Sequence, residues 1–217
     1  MNHRPNHIIF DADGVLLNYT EAFCGYMRHV HNIEQAIPTE NQSRFDMQCL
    51  FPHVNAFDYV KSFARHPSFS EIEPCDGAVS GLRELRAELP DVKIHVVTSC
   101  GSDPVTREMR IDCLKRNFGL TGNINILGLS DKKFDTLSAF PAKSVFIDDK
   151  FENIQCGRNA KLDSIWFKPA NKLIYHDVQE HTVREEPLRG WLNLTAVVLD
   201  KYGISQETIR SHSEPSP

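Results

Sequence analysis

Five short apolar runs, each too short to form a helix, recur at wide intervals along the chain. They cover residues 8–10, 94–97, 124–127, 145–147 and 165–167. Val, Ile and Phe dominate these runs, which is typical of strands buried on both faces of a parallel sheet. Segments with helical spacing of apolar residues separate the last four runs. This alternation predicts an α/β fold with a doubly wound parallel sheet.

The gap between the first two runs, about residues 18–74, is too long for a simple crossover. Within it, aromatic and apolar residues recur at helical spacing, beginning at Tyr19 and again at Phe57. We therefore predict an α/β core, residues 1–17 and 74–204, and a small helical cap, residues 18–73, packed over one edge of the sheet. The aromatic residues of these helices are interpreted as cap core.

A last helix is predicted near the end of the core, and a polar tail follows it. The tail, residues 205–217, ends in Ser-Glu-Pro-Ser-Pro and is predicted to be disordered. The residues expected on the buried side of the last helix are Leu188, Trp191, Leu192, Ala196 and Leu199.

Charge and composition exclude several kinds of partner. The chain has 24 Lys and Arg against 29 Asp and Glu, a formal charge of −5, and it lacks a basic stretch that would bind a nucleic-acid polymer. No signal-peptide pattern or apolar segment long enough to cross a bilayer is present. Six cysteines without a CxxC pair fit reduced thiols. We expect a cytoplasmic protein without a membrane partner, while the sequence does not indicate its oligomeric state.

Polar side chains cluster at the points where the predicted strands end. Because the carboxyl ends of parallel strands meet at one edge of a sheet, these side chains should converge in one crevice. The residues concerned are Asp11 and Asp13 after the first strand, Thr98 and Ser99 after the second, Lys132 and Lys133 before the fourth, and Asp148 and Asp149 after it.

Four carboxylates in one crevice repel each other unless a cation lies between them. Mg²⁺ suits such a site because it prefers a few carboxylate oxygens and retained water. Thr98 and Ser99 can donate hydrogen bonds to an anion, and a lysine can balance the anion's charge. The sequence therefore predicts a site for a phosphoryl group and Mg²⁺. The spacing suggests that Asp11 attacks phosphorus while Asp13 moves the proton.

Four ordered motifs resemble those of the haloacid dehalogenase-like hydrolase superfamily. They are D-x-D-G-V at residues 11–15, V-V-T-S at residues 96–99, a lysine opening a helix, and I-D-D at residues 147–149. The resemblance implies that Asp11 is the nucleophile and Asp13 the acid/base. It also implies that Asp148 completes the Mg²⁺ site with Asp11 and the backbone carbonyl of Asp13.

The same resemblance implies the remaining roles. Thr98, with Ser99, would bind phosphate, and Asp149 would orient the lysine or the water molecules on the metal. Lys133 is preferred as the phosphate-binding lysine because it lies one helical turn before an apolar position. A fainter similarity to the 5′-(3′)-deoxyribonucleotidase branch favours Lys132 instead.

The expected activity is hydrolysis of a small phosphorylated metabolite, with nucleoside monophosphates and sugar phosphates among the candidates. The second acid, Asp13, argues for a phosphatase or phosphotransferase, since the dehalogenase branch lacks it. A phosphomutase using the same nucleophile is the alternative, and a signalling module or an idle phosphate-binding protein fits less well. Asn153 could either support the acidic loop or face solvent.

Overall fold

A computed structural model describes residues 6–36, 47–169 and 185–204 of the chain. The segment predicted to be disordered, residues 205–217, lies outside these ranges.

A six-stranded parallel sheet forms the centre of the molecule, in the order β3-β2-β1-β4-β5-β6. This confirms the predicted α/β fold, and each of the five apolar runs lies within one strand. The sixth strand, β6, has only two residues and was not predicted. The strands are β1 His7–Phe10, β2 Lys93–Ser99, β3 Ile124–Leu127, β4 Val145–Asp148, β5 Asp163–Lys168 and β6 Leu188–Arg189.

Eight helices accompany the sheet within the described ranges. They are α1 Tyr19–His31, α2 Met47–Leu50, α3 Ala56–Phe63, α4 Ala78–Glu88, α5 Pro104–Phe118, α6 Phe134–Ser138, α7 Phe151–Asn159 and α8 Trp191–Lys201. Local sequence sets the ends of the longest, α5. The Asp103 side chain accepts hydrogen bonds from the Val105 and Thr106 amides, at 3.0 and 3.3 Å. Gly119 ends the helix in the left-handed region, at φ 64°.

The sheet is buried on both faces, because its side chains alternate between two apolar clusters. Ile8 and Phe10 belong to the cluster that includes residues of α4, α5 and α8. Ile9 lies on the opposite face, with residues of α6 and α7. Trp191 of α8 stacks on Phe10 with 5.5 Å between ring centroids. The helices thus cover both faces, as a doubly wound sheet requires.

The cap segment, residues 18–36 and 47–73, contains α1, α2, α3 and a 3₁₀ turn at Pro67–Phe69. The residues that follow α3 form hydrogen bonds and an ion pair with the start of α5. The Thr106 hydroxyl donates to the carbonyl of Ala64 at 2.9 Å, and Arg65 pairs with Asp103 at 2.7 Å. The apolar interior of the cap segment is continuous with one face of the sheet. The division into separate core and cap units therefore stays a prediction.

The buried side of α8 differs from the expected one. Leu192 is 83% exposed, and Leu188 lies in β6 ahead of the helix. Trp191 and Leu199 are buried as predicted, and the other buried residues of the helix are Leu194, Thr195 and Val198. These positions follow the spacing of three and four residues that defines one helical face, and Leu192 falls outside it.

None of the helices in the described ranges is both long enough and apolar enough to cross a membrane.

Candidate active site

The ends of three adjacent strands set the position of the candidate active site. Phe10, the last residue of β1, lies opposite Val96 of β2 and Ile147 of β4, and these two neighbours continue beyond it to Ser99 and Asp148. The strands β2 and β3 lie on one side of β1, and β4, β5 and β6 lie on the other. Side chains that follow the strands at such a change of direction face a common crevice. Asp11, Thr98 and Asp148 occupy these strand ends.

Lys133 lies between the acidic ends of β1 and β4. Its ammonium nitrogen is 2.7 Å from Asp11 Oδ1 and 2.7 Å from Asp148 Oδ2. The side chain is 3% exposed, whereas Lys132 is exposed on the surface. Of the two lysines left open by the sequence, the structure therefore places Lys133 among the acids.

The Asp148 carboxylate is held on every side. Its Oδ1 accepts a hydrogen bond from the Lys150 amide at 2.8 Å, and Lys133 reaches its Oδ2. The Asn153 amide nitrogen lies 3.1 Å from both oxygens. Asn153 therefore supports the acidic loop instead of facing solvent. These donors fix the carboxylate at the start of α7.

Sequence reasoning missed Arg110, a fully buried residue of α5 that contacts Asp13. Its Nη2 donates to Asp13 Oδ2 at 2.9 Å and lies 2.8 Å from Oδ1. The guanidinium carbon is 4.3 Å from the centre of the Phe69 ring, so the ring of the cap segment covers the cation. Asp13 is thus held by a cation on the helix that follows β2.

A signal for Arg110 was present in the sequence. Thr106, Arg110, Cys113 and Leu114 share the buried face of α5, at the spacing of a helical stripe. An arginine in the middle of a buried stripe needs a partner, because an unpaired buried charge is costly. The sequence alone did not show which acid would supply it.

Gly14 allows the Asp13 loop to pass close to Asp149. Its φ of +78° is in the left-handed region, and a Cβ at this position would overlap the Asp149 carboxylate. The indole nitrogen of Trp166 donates to the backbone carbonyl of Asp149 at 3.1 Å. Asp149 is therefore held at the site by its neighbours in the sheet, with its side chain facing the Gly14 backbone.

Burial dominates the electrostatics of the acids. It raises the pKa of Asp11 to about 7, with Lys133 opposing the rise and Asp148 and Asp13 adding to it. Burial also raises the pKa of Asp13, against the effect of Arg110, and it raises the pKa of Asp149 well above its usual range. The pKa of Lys133 is raised, because Asp11 and Asp148 together outweigh burial. Lys133 is therefore a stable cation.

The carboxylates fit a divalent cation. Asp11, Asp148 and Asp149 each offer an oxygen, and these oxygens lie within 4.8 Å of one another. Asp149 Oδ1 is buried without a hydrogen-bond partner among the described residues. A buried carboxylate oxygen without a donor is a suitable ligand for a hard cation such as Mg²⁺. The Asp13 carboxylate is outside this cluster, which agrees with a role for Asp13 through its backbone carbonyl.

The hydroxyl side chains at the end of β2 face the same space. Thr98 and Ser99 line a cavity of about 380 Å³ together with Asp11, Asp13 and Lys133. The Thr98 hydroxyl is buried and has no partner among the described residues. An unpaired buried donor beside a buried lysine is suited to receiving an anion. The structure thus brings together all the side chains that the sequence singled out, except Lys132.

Comparisons with known proteins identify the fold. No family model and no curated protein matched the chain. Among solved structures, a haloacid dehalogenase-family hydrolase from Deinococcus radiodurans R1, with bound phosphate and sodium, has a TM-score of 0.61 at 18% identity, covering 94% of this chain and 99% of that one. An L-2-haloacid dehalogenase has a TM-score of 0.56 at 12% identity, covering 89% and 99%.

A further match is a hydrolase of the same family from Bacillus subtilis, bound to magnesium. It has a TM-score of 0.50 at 17% identity and covers 82% of this chain and 97% of that one. At these identities the likeness establishes the fold. The chain has the α/β fold of haloacid dehalogenase-like hydrolases.

Proposed function

We propose that this protein is a Mg²⁺-dependent phosphatase that hydrolyses a small phosphate monoester through an aspartyl-phosphate on Asp11. The observation that carries the proposal is the position of Lys133, whose ammonium lies 2.7 Å from both Asp11 and Asp148. A nucleophile, a fixed cation and a second acid, Asp13, face one cavity. This combination suits transfer of a phosphoryl group.

In the first half-reaction, an Asp11 oxygen attacks phosphorus, and the bond between phosphorus and the ester oxygen breaks. The leaving oxygen takes a proton from Asp13. Burial raises the pKa of Asp13, which keeps a larger fraction of its carboxyl protonated and available as a general acid. Thr98 and Lys133 hold the phosphoryl oxygens as charge develops on them.

In the second half-reaction, a water molecule attacks the phosphorus of the aspartyl-phosphate. Asp13, now a carboxylate, accepts a proton from this water, and phosphate leaves as the Asp11 carboxylate re-forms. Arg110 stabilises the carboxylate form of Asp13 through its 2.9 Å hydrogen bond. The same residue thus serves as acid and then as base.

The proposed metal ligands are Asp11, the backbone carbonyl of Asp13, and Asp148, with Asp149 supporting the site. When bound, Mg²⁺ would offset the charges of the phosphate and of the carboxylates. Mg²⁺ is the proposed cation because, among the described residues, Lys133 is the one cation paired with Asp11 and Asp148, which leaves the remaining carboxylate and phosphate charge to a metal.

Dehalogenation is the second activity suggested by the fold, since one of the similar structures is an L-2-haloacid dehalogenase. A halide leaves without a proton, whereas an alkoxide needs one. Asp13 lies where it can donate that proton, in the same cavity as Asp11. This observation favours phosphate esters.

The test is Mg²⁺-dependent release of phosphate from p-nitrophenyl phosphate by the full chain. We expect Asp11→Asn to abolish the release and excess chelator to suppress it in the parent. Asp135→Asn makes the same change at an exposed position of α6 and should keep the parent rate. An Asp11→Asn variant as active as the parent would overturn the assignment, and chloride release from a 2-chloro acid would favour the dehalogenase.

Phosphomutase activity with the same nucleophile is distinguished by the acceptor of the phosphoryl group. A chain phosphorylated with labelled phosphate is mixed with candidate sugar phosphates. Label that appears in inorganic phosphate supports the phosphatase, and label that appears in the sugar supports the mutase.

A further inference from the structure

We propose, building on the phosphatase activity above, that the substrate's non-phosphate part is small, uncharged and apolar, as in an aryl or branched alkyl phosphate. The cavity of about 380 Å³ that contains Asp11 has two chemically different ends. Its volume is near the lower limit for sites that enclose an organic ligand. The substrate's two parts can therefore be assigned from the side chains at each end.

The core side of the cavity is charged and hydroxylated. Asp11, Thr98 and Lys133 lie at the strand ends and account for the phosphate. Lys133 is buried at this end and lies 2.7 Å from the nucleophile Asp11, so its ammonium is available to the phosphoryl oxygens there. The phosphate therefore belongs at this end.

The cap side of the cavity is mostly apolar. Its apolar and aromatic residues are Tyr19, Met47, Ala56, Phe57, Val60, Ala64 and Phe69, and its polar residues are Thr20 and Gln48. These residues come from α1, α2, α3 and the end of the cap segment, so each described element of the cap segment contributes to the wall. An ester group placed here would lose its contact with water and gain apolar contact instead.

Helix α3 shows how the sequence keeps charge away from this wall. Phe57 and Val60 of α3, and Ala64 directly after it, are spaced by three and four residues, so they lie on one side and line the cavity. Asp58 and Lys61 are exposed and lie 4.0 Å apart. The Lys61 ammonium is 4.1 Å from the centre of the Phe57 ring. The charges of α3 therefore pair with each other outside the cavity.

Two exposed apolar side chains flank the cavity. Phe57 of the cap segment is 53% exposed, and Leu129, in the loop after β3, is 42% exposed. Both line the cavity, from opposite sides of the boundary between cap segment and core. Exposed apolar surface on both sides of a cavity indicates an apolar ligand, because binding removes that surface from water. The interpretation of Phe57 as cap core was therefore wrong.

Polar partners for a hydroxylated or doubly charged ester are few. Among the described residues that line the cavity, the cations are Lys133 and Lys150, and both belong to the core. Gln48 lines the cap side, but its amide donates to the carbonyls of Phe51 and Val54, at 3.2 and 2.7 Å, and accepts from the Ala56 amide. Thr20 offers one hydroxyl on the cap side, so an ester with several hydroxyl groups or a second anion would lose more hydrogen bonds to water than the described residues of this side replace.

The experiment compares kcat/KM for three monoesters of primary alcohols: benzyl phosphate, glucose 6-phosphate and a nucleoside 5′-monophosphate. The bond that breaks is the same type in all three, so differences report recognition of the leaving group. We expect benzyl phosphate to be preferred by at least about tenfold. An equal or higher kcat/KM for glucose 6-phosphate or the nucleotide overturns the inference.

A variant locates the preference in the apolar wall. Phe57→Ser should lower kcat/KM for benzyl phosphate about tenfold more than for acetyl phosphate, which carries almost nothing to bury. Leu192→Ser changes an apolar residue that is 83% exposed and outside the cavity, and it should leave both values unchanged. Equal loss on both substrates in Phe57→Ser would also overturn the inference.

Acetyl phosphate separates the two proposals. Asp11-dependent release of phosphate from acetyl phosphate, without a preference for benzyl phosphate, means that the phosphatase proposal stands and the substrate class is wrong. Absence of Mg²⁺-dependent phosphate release from every compound, acetyl phosphate included, means that both proposals are wrong.

Discussion

The Arg110 guanidinium approaches Asp13 with one nitrogen, Nη2, which lies 2.8 Å from Oδ1 and 2.9 Å from Oδ2 of the carboxylate. Asp13 is 13% exposed at its side chain, while Arg110 is fully buried. Among the described residues, no hydrogen bond reaches Oδ1. The pairing therefore fixes the direction of the carboxylate, with both of its oxygens beside the guanidinium.

Replacing Arg110 by lysine should impair the proton transfer selectively. Lysine keeps the charge but loses the planar group that orients Asp13. We expect kcat/KM for benzyl phosphate to fall by about tenfold to a hundredfold. The value for acetyl phosphate should fall much less, because acetate leaves without protonation and kcat/KM does not include the later attack of water on the aspartyl-phosphate. Steady-state kinetics on both substrates measures the difference, with Arg83→Lys at an exposed position of α4 as the control. Equal losses on both substrates would show a merely structural role.

The adjacent lysines 132 and 133 form a matched pair for mutation. Lys133→Met removes the cation between Asp11 and Asp148 and should destabilise the chain by about 3–5 kcal/mol in the absence of added metal. Lys132→Met changes an exposed side chain and should alter stability by less than about 0.5 kcal/mol. Urea unfolding in chelator gives both values, and phosphatase assays should show loss of activity for Lys133→Met alone. If Lys132→Met lost activity and Lys133→Met kept it, the phosphate contact would be assigned to Lys132.

A substitution at Gly14 tests the close approach to Asp149. Gly14→Ala places a Cβ at a φ of +78° and against the Asp149 carboxylate, so we expect a loss of about 1–3 kcal/mol of stability and of most activity. Gly25→Ala, within α1, meets nothing within 4 Å. It should stabilise the chain by about 0.5–1 kcal/mol. Thermal unfolding of the two variants beside the parent measures both effects, and a neutral Gly14→Ala would mean that the loop adjusts freely.

The pH dependence of stability should include a contribution from His95, which lies in β2 towards the end of the strand away from the candidate active site. Its ring nitrogen Nε2 is 2.8 Å from His7 Nδ1. Burial, with His7 and Lys93 adding to it, lowers the pKa of His95 to about 4. Between pH 6.5 and 4 the unfolded chain therefore binds a proton that the folded chain does not, and stability is lost as pH falls through this window.

His95→Gln removes this proton uptake. The free energy of unfolding, measured from pH 7.5 to 4, should fall less steeply with acidification in His95→Gln than in the parent. The comparison isolates His95 from Asp11, whose pKa is raised by burial to about 7 and whose contribution has the opposite sign. Parallel pH curves for parent and variant would contradict the prediction.

The sequence was sufficient to predict the sheet and the meeting of the acids, because both follow from short-range patterns. Buried parallel strands are continuous apolar runs, and Asp11 and Asp148 directly follow or end such runs. The choice of Lys133 over Lys132 also followed from helical spacing. The two-residue strand β6 had no such pattern, since two residues cannot show a period.

The residues that were missed depend on contacts between distant segments. Arg110 is 97 positions from Asp13, and only the packing of α5 beneath the cap segment brings them together. Leu192 was assigned to the wrong face of α8, because the helix begins at Trp191 and Leu188 belongs to a strand. Phe57 looked like a core residue, although the helix that carries it presents it to the cavity.

The alternation of side chains along β1 has a consequence for how this protein can change in evolution. Ile9 faces one apolar cluster while Ile8 and Phe10 face the other, and Asp11 directly continues the same four-residue strand. Gaining or losing a single residue in β1 would turn every following side chain to the opposite face and move the nucleophile out of reach of Lys133. We therefore expect β1 to tolerate substitutions by residues of similar size but not insertions or deletions.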